Sequence, residues 1–260
     1  SIADASNCSD VVETITITAP PIVANDDAVT GVNGLTGATD ILNIYADNGN
    51  GTDTLNGADT NATDTDLTVR AAATPINGGP VPTLDTADGS VDVPAGTPAG
   101  VYTIGYTLCD ALNPTNCSDA TISVTVDPAP IVANDDATTG VDGQVGATGV
   151  LDIFANNGSG TDTLNGADTS LAATDISVTT PATAINGGPV PALNPATGLV
   201  DVPAGTPAGS YTIVYELCEE LNPTNCDQAT ITVDVDAAPI VAVDDIVTGV
   251  DGFAGATGVI

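Results

Sequence analysis

The sequence predicts an all-β protein made of tandem β-sandwiches, with about seven short strands in each repeat. Three observations support this fold class. The chain has 260 residues, and long segments of it recur at a constant offset of 109 residues. The strand-forming residues Val, Ile and Thr are abundant, whereas the Lys, Arg and Gln that cover helix surfaces are almost missing. Finally, 28 Gly and 18 Pro are spread along the chain, which indicates frequent turns.

The repeat has no gaps. Residues 51–60 recur letter for letter at 160–169, and residues 91–100 recur at 200–209. The predicted organisation is the end of a preceding repeat at 1–19, complete repeats at 20–128 and 129–237, and the start of a following repeat at 238–260. A repeat of this size matches an immunoglobulin-like Greek-key sandwich. The short links between repeats contain Pro, which favours a rod over a flexible string.

The end of each repeat predicts a β-hairpin with one buried face. Apolar residues alternate with small or polar ones along two successive strands, at Tyr102, Ile104, Tyr106, Leu108, Ile122, Val124 and Val126. The same pattern recurs 109 residues later. Tyr102 and Tyr211, which begin the penultimate strand, resemble the tyrosine corner of Greek-key sandwiches. Weaker strand predictions cover residues 22–30, 40–46, 66–71 and 89–93.

The cysteines predict two disulfides. Cys109 and Cys117 flank the turn of the hairpin, and Cys218 and Cys226 do so one repeat later. Cysteines that face each other across adjacent strands can meet disulfide geometry. Zinc would need four ligands, and the chain has neither His nor a C-x-x-C motif. Free thiols are the alternative. Disulfides imply an oxidising, extracellular or cell-surface location.

Cys8 has no predicted partner within this chain. It aligns with Cys117, so its partner would align with Cys109 and stand one residue before Ser1. We expect that the preceding residue is a cysteine. An intermolecular bridge is the alternative.

The charge excludes several classes of function. The chain has 34 acidic residues and one basic residue, Arg70, which gives a net charge of −33. Nucleic acids and anionic membranes need a cationic surface, so neither is a predicted partner. No apolar run approaches the ~20 residues of a membrane-spanning helix. Without His or Lys, catalysis by a His base, a Ser-His pair or a Lys Schiff base is excluded.

Paired carboxylates could in principle hydrolyse glycosides. The repeat would then duplicate the active site, and the chain offers only two Phe and five Tyr as sugar platforms. We therefore predict that the chain is not an enzyme.

Acidic residues gather around the Pro links. Asp127 precedes one link, and Asp135 and Asp136 follow it. Three carboxylates around one junction repel each other unless a cation lies among them, and Ca²⁺ prefers such oxygen ligands. Equivalent residues complete the set of candidate calcium ligands: Asp26, Asp27, Asp236, Asp244 and Asp245. The alternative is that these are solvated turn residues on a surface adapted to high salt.

Five tripeptides match the N-glycosylation acceptor pattern, and they begin at Asn7, Asn50, Asn61, Asn116 and Asn157. Such matches are common by chance. The sequence by itself assigns sugar to none of them.

Three motifs at the repeat ends carry a family resemblance. Tyr-Thr-Ile-x-Tyr-x-Leu-Cys stands at 102–109, Asn-Pro-Thr-Asn-Cys at 113–117 and Pro-Ile-Val-Ala-x-Asp-Asp at 130–136. Together they resemble the bacterial Ig-like or cadherin-like tandem repeats of very long secreted surface proteins, such as adhesin stalks or extracellular filaments. This resemblance implies export, tandem spacing and often calcium. It implies no catalytic residue.

We therefore expect a structural repeat segment of an extracellular stalk or filament, which gives length and stiffness through linked sandwiches. Its partner would be itself, through adjacent repeats or other copies. The alternative is an adhesin or carbohydrate-binding module, which would need a distinctive binding patch, usually an aromatic one.

Overall fold

The computed structural model describes residues 11–255 and 257–258, so the predictions for Cys8 lie outside the described residues. The chain divides into two compact units, Ser1–Ala129 and Pro130–Ile260. The all-β prediction is confirmed, because the described residues form strands and turns without a helix. Accordingly, no helix in this part of the chain is long and apolar enough to cross a membrane.

The first unit contains ten strands in its described part, four of which have only two residues. Their bounds are β1 Ile22–Val23, β2 Asp27–Asn33, β3 Ala38–Asn43, β4 Thr54–Leu55, β5 Ala58–Asp59, β6 Thr65–Ala71, β7 Thr83–Leu84, β8 Ser90–Val93, β9 Gly100–Asp110 and β10 Asn113–Asp127. The predicted strand at 22–30 is divided into β1 and β2. The strands beyond the predicted seven have two residues each, too few for an alternation of apolar and polar residues to reveal them.

The second unit repeats this order. Its strands are β11 Ile131–Val132, β12 Asp136–Asp142, β13 Ala147–Asp152, β14 Thr163–Leu164, β15 Ala167–Asp168, β16 Thr174–Thr180, β17 Ala192–Asn194, β18 Leu199–Val202, β19 Gly209–Glu219 and β20 Cys226–Asp236. The strand order of each sheet is also the same in the two units.

Two sheets of the first unit pack face to face around one apolar core. One sheet has the order β2-β10-β9-β6, and the other has the order β3-β8-β7. The predicted hairpin is β9 and β10, in which Ile122 pairs with Ile104 and Val124 pairs with Tyr102. The alternating apolar face of this hairpin is fully buried, and it meets Val91 of β8 inside the core. A third small sheet, β1-β4-β5, lies beside them.

The first and last long strands of each unit pair in parallel. Asp27 of β2 lies opposite Ile122 of β10, and the pairing continues to Asn33 opposite Asp127. The side chain of Asp26 fixes this register, because its Oδ1 accepts hydrogen bonds from the Thr121 backbone N (2.7 Å) and hydroxyl (2.9 Å). A strand that closes a sandwich by pairing with the last strand gives no local sequence signal.

The predicted tyrosine corners are present. The Tyr102 hydroxyl donates to the carbonyl oxygen of Pro98 at 2.8 Å, and the Tyr211 hydroxyl donates to that of Pro207 at 2.8 Å. Both partners lie four residues upstream, at the entry to the long strand, as in other Greek-key sandwiches.

Candidate functional site: buried carboxylates and disulfide hairpins

Each unit buries two carboxylates around one tyrosine hydroxyl, an arrangement that we call the Asp–Tyr–Asp cluster. In the first unit, the Tyr106 hydroxyl lies 3.2 Å from Oδ2 of Asp27 and 3.2 Å from Oδ2 of Asp53. Their exposed fractions are 0% for Tyr106, 3% for Asp27 and 1% for Asp53. The cluster therefore belongs to the interior of the sandwich, where unpaired polar groups are costly.

The strands explain how the cluster forms. Tyr106 is on the apolar face of β9, so its ring packs in the core and its hydroxyl must find an acceptor there. Asp27 is the first residue of β2, and the Asn48 amide donates to its Oδ1 at 3.0 Å. Asp53 precedes β4 and is held by the backbone N of Asn25, which donates to its Oδ1 at 2.7 Å.

The second unit repeats the cluster with a small change in distances. The Tyr215 hydroxyl lies 2.8 Å from Oδ2 of Asp162 and 3.5 Å from Oδ2 of Asp136. The Asn157 amide donates to Asp136 at 3.2 Å, and the backbone N of Asn134 donates to Asp162 at 2.7 Å. Every role is thus filled by the residue 109 positions later.

Burial disfavours the charged form of all four carboxylates. It raises the pKa of Asp27 from 3.8 to about 6, and the nearby charge of Asp53 raises it further, against the hydrogen bonds from Asn48 and Tyr106. For the same reasons the pKa of Asp136 is raised to about 7, with Asp162 as the neighbouring charge. Burial also raises the pKa of Asp53 and that of Asp162.

The tyrosines act only as hydrogen-bond donors. Burial, followed by the neighbouring carboxylates, raises the pKa of Tyr106 and that of Tyr215 above the ordinary value of 10.0. Each hydroxyl has one proton but three acceptors, since the Asn25 carbonyl lies 2.9 Å from Tyr106 as well. A second proton on the carboxylate pair would supply the missing donor. The cluster is therefore suited to holding a proton, and its burial keeps it away from any substrate.

The structure gives the candidate calcium ligands different environments. Asp127 and Asp236 are exposed at the ends of β10 and β20, and Asp244 and Asp245 are exposed outside any strand. Asp26 and its counterpart Asp135 are exposed, but each accepts a hydrogen bond from the last long strand of its unit. For Asp135 the donor is the backbone N of Thr230, at 2.8 Å.

Asp27 and Asp136 are the buried members of the candidate set. Both oxygens of Asp27 accept hydrogen bonds, from Asn48 and from Tyr106, so a cation would share this buried carboxylate with two donors. Asp127 belongs to the first unit, and Asp135 and Asp136 belong to the second. The junctional calcium site therefore stays a prediction.

A disulfide closes the β9–β10 hairpin in the first unit and the β19–β20 hairpin in the second. Cys109 is bonded to Cys117 with Cα atoms 4.0 Å apart, and Cys218 is bonded to Cys226 with Cα atoms 4.1 Å apart. Glu216 lies near the second disulfide, but sulfurs that are bonded to each other offer no thiolate to a metal.

An acidic side chain organises the turn that each disulfide closes. Asp110, which is 2% exposed, accepts from the backbone N of Leu112 at 2.9 Å and from the Asn113 amide at 2.6 Å. The hydrogen bond from the Asn113 amide is the largest cause that lowers the pKa of Asp110, and the bond from the Leu112 backbone adds to it. In the second unit the buried Glu219 accepts from the Asn225 amide at 2.8 Å.

Each unit also has an apolar cleft at the edge of the sandwich. In the first unit its volume is about 150 Å³, and its lining includes Val69, Val81, Leu84 and Ile104. The equivalent cleft in the second unit has about 160 Å³. Neither lining contains a titratable side chain, so the clefts offer no charged group to orient a ligand.

The comparisons with known proteins identify no family. No protein-family description and no curated protein matches the chain. The human Desmocollin-1 ectodomain is 11% identical, with a TM-score of 0.31 over 85% of this chain and 42% of that one. Human CDH23 EC21-23 is 11% identical, with a TM-score of 0.33 over 84% of this chain and 70% of that one.

A bacterial structure gives a similar result. The SusE-like surface-located polysaccharide-binding protein from Bacteroides thetaiotaomicron is 12% identical, with a TM-score of 0.27 over 85% of this chain and 34% of that one. The chain thus spans less than half the length of this protein and of the desmocollin. Likeness at this level does not transfer a function.

The Asp–Tyr–Asp cluster was not predicted from the sequence. Asp53 and Asp162 belong to the letter-for-letter repeat 51–60 and 160–169, and Tyr106 was identified only as a core residue. The available signal was a tyrosine on the buried face of a strand, which needs an acceptor, together with acids that recur at the same offset as the tyrosine.

Proposed function

We propose that the chain is a structural repeat segment of an extracellular surface stalk or filament, and that such a molecule gains length by adding copies of one sandwich. One observation carries the proposal, the duplication of three structural features of the unit. The disulfide hairpin, the tyrosine corner and the Asp–Tyr–Asp cluster all recur 109 residues later. A catalytic or binding site is needed once, whereas length requires repetition.

The extracellular location rests on covalent and electrostatic features. Disulfides persist in oxidising compartments, and both units contain one. The chain lacks Lys and has a single Arg, which leaves almost no cleavage site for proteases that cut after basic residues. A net charge of −33 keeps copies apart except where a cation bridges them. We propose that the partner of the chain is the chain itself, through adjacent repeats or other copies, with cations between the facing carboxylates.

Calcium is the cation that we propose at the links. Asp127 and Asp236 are exposed where the last strand of each unit ends, and Asp26 and Asp135 are exposed where the first long strand begins. Carboxylates of these residues are ligands that Ca²⁺ prefers. Neutralising them would remove the repulsion around the Pro-containing links and stiffen the chain.

The adhesin or carbohydrate-binding alternative has less support. Such a module presents aromatic rings to its ligand. Tyr102, Tyr106, Tyr211 and Tyr215 are each at most 1% exposed, so their rings form the core and not a platform.

Immunogold electron microscopy of the native cell-surface material tests the proposal. An antibody against the repeat should label thin fibres at several positions along their length, with pre-immune serum as the control. Label confined to the cell interior, or to one end of a fibre, would contradict a structural repeat. A glycan array probed with the purified chain separates the alternative, because a stalk segment should bind no glycan above the level of unfolded chain.

A further inference from the structure

We propose that Asn61 is an N-glycosylation site, one that the first unit carries and the second unit lacks. This inference goes beyond the stalk function and concerns a modification of the exposed surface. Asn61, Ala62 and Thr63 form an acceptor tripeptide, and all three residues are exposed in the turn between β5 and β6. A sugar attached there would project into solvent.

The other described tripeptides use their amide groups to hold the fold. The Asn157 amide donates to three oxygens, those of Asp136, Asp152 and Ala155. The Asn116 amide donates to the Pro20 carbonyl at 2.7 Å, a contact between residues 96 positions apart, and its side chain also forms a hydrogen bond with the Asp110 carboxylate. A sugar replaces one of the two amide hydrogens, so glycosylation at either position would break a contact that the fold needs.

Asn50 and Asn61 differ in what their amides hold. The Asn50 amide donates to the Asp26 carbonyl at 2.8 Å and so ties two distant segments. Among the described residues, the Asn61 amide donates only to Asp64, at 2.7 Å and three residues along the same turn. Each amide therefore has one hydrogen outside these bonds, but the bond that shares the nitrogen is tertiary at Asn50 and local to the turn at Asn61, so a sugar on Asn61 disturbs no tertiary contact.

The turn also places the hydroxyl of the tripeptide beside its amide. The Thr63 backbone N donates to Oδ1 of Asn61 at 2.8 Å, and the Thr63 hydroxyl donates to the same oxygen. In the tripeptide that begins at Asn50, the Thr52 hydroxyl instead donates to Asp59 at 2.6 Å. The conformation that pairs hydroxyl and amide is thus already present at Asn61.

An acidic residue precedes Asn61 by two positions. Asp59 is exposed, and the segment 59–63 reads Asp-Thr-Asn-Ala-Thr. We expect an oligosaccharyltransferase that reads charge at this position to select Asn61 among the described tripeptides. The equivalent residues of the other described tripeptides are Asn48, Pro114 and Ala155, which carry no charge.

The reaction is a group transfer from a lipid-linked, pyrophosphate-activated saccharide. Nδ2 of Asn61 attacks the anomeric carbon, a nitrogen–carbon bond forms, and the bond from that carbon to the pyrophosphate oxygen breaks. The amide proton leaves Nδ2, and the lipid pyrophosphate departs with the bonding electrons. No oxidant or reductant is needed.

The second unit supplies a natural control. In the first unit the backbone N of Asp64 donates to the carbonyl of Asn61 at 3.1 Å. The equivalent turn of the second unit has the same hydrogen bond, from the backbone N of Ala173 to the carbonyl of Ser170 at 3.0 Å. Asp168 matches Asp59, but Ser170 stands in place of the asparagine and Ala172 in place of the threonine. Two substitutions, S170N and A172T, should therefore create a second acceptor.

The experiment treats the folded, disulfide-intact chain with a bacterial oligosaccharyltransferase and a lipid-linked saccharide. Mass spectrometry should show one added saccharide, located on the peptide 59–63 that an aspartate-directed protease releases. The variants N61Q and D59N should lose the addition, T63A should lose it and T63S should regain it. The S170N/A172T variant should carry two saccharides.

Circular dichroism confirms that each variant is folded before transfer. The proposal is overturned if Asn61 stays unmodified while an acceptor peptide in the same tube is glycosylated. It is also overturned if Asn50, Asn116 or Asn157 accepts saccharide as readily as Asn61.

Discussion

Tyr106 and Asp53 meet hydroxyl to carboxylate at 3.2 Å in the interior of the first unit, although 53 residues separate them in the chain. The contact joins the longest hairpin of the unit to the loop before β4. Its counterpart, Tyr215 with Asp162, is 2.8 Å long. The core of each sandwich thus includes a buried hydrogen bond between a tyrosine and an aspartate as well as packed aliphatic side chains.

Removing the tyrosine hydroxyl should destabilise the first unit more than removing an ordinary buried hydroxyl. In the Y106F variant, Asp27, Asp53 and the Asn25 carbonyl lose their shared donor, and we expect a loss of about 3 kcal/mol in the free energy of unfolding. The matched control is Y102F, which loses one bond, to Pro98, and should cost about 1 kcal/mol. Urea unfolding measures both, and equal losses would contradict the role of the cluster.

Stability should fall as pH rises through the range in which the buried carboxylates ionise. The folded-state pKa of Asp27 is about 6 and that of Asp136 about 7, both above the ordinary 3.8. The folded chain therefore binds more protons, and this stabilisation is complete below pH 3.8 and lost by about pH 7. We expect a decrease of roughly 3 kcal/mol from Asp27 in the first cluster and of roughly 4 kcal/mol from Asp136 in the second.

The D27N/D136N variant should remove most of this pH dependence, because an amide resembles the protonated carboxyl. The control is D66N/D175N, which removes the same charge from exposed positions and so accounts for the general repulsion of an acidic chain. Urea unfolding from pH 4 to pH 8 provides the comparison. Parallel curves for the two variants would refute the assignment.

Loss of one disulfide should weaken only the unit that contains it. The C109S/C117S variant opens a loop with a sequence separation of 8, which in the chain-entropy model costs about 2–3 kcal/mol. The matched variant, C218S/C226S, should cost a similar amount in the second unit. Calorimetry should show one component of the transition moving to lower temperature, and a different component for each variant. An unchanged transition would show that the turn side chains suffice.

Calcium should raise the melting temperature of the chain, and EDTA should reverse the change. Binding to the folded state alone would add about 2.7 kcal/mol at a calcium concentration 100 times the dissociation constant. The D127N/D135N variant should lose this response, whereas D66N/D175N should keep it. A midpoint that calcium leaves unchanged would reject the proposed cation, and the Asp residues would then be solvated turn residues.

Local periodicity accounts for what could be predicted of the fold. The β9–β10 hairpin follows from the strict alternation of apolar residues between Tyr102 and Val126, because a strand with one buried face has a period of two. The interruption between β1 and β2 was missed because it depends on distant partners. Asn25 bonds Asp53 there, and Asp26 bonds Thr121, at separations of 28 and 95 residues.

The sequence singled out two residues of the Asp–Tyr–Asp clusters but not the clusters themselves. Repetition drew attention to Asp27 and Asp136, and charge alone favoured a calcium ligand for both. In the structure both are buried and accept hydrogen bonds from the Tyr106 and Tyr215 hydroxyls, contacts that no residue near them in the sequence indicates. A contact between residues far apart in the chain can be predicted from the sequence only when a polar group is expected to be buried and its partner recurs at the same offset in the other repeat.

The parallel pairing of β2 with β10 has a mechanical consequence. A pull on the two ends of a unit enters near Asp27 and leaves near Asp127, and it drives these adjacent strands in opposite directions along their length. Hydrogen bonds loaded in this shearing geometry must break together, whereas a ladder that is peeled from one end breaks one bond at a time. The same holds for β12 and β20, so tension along the chain would meet this resistance once in every repeat.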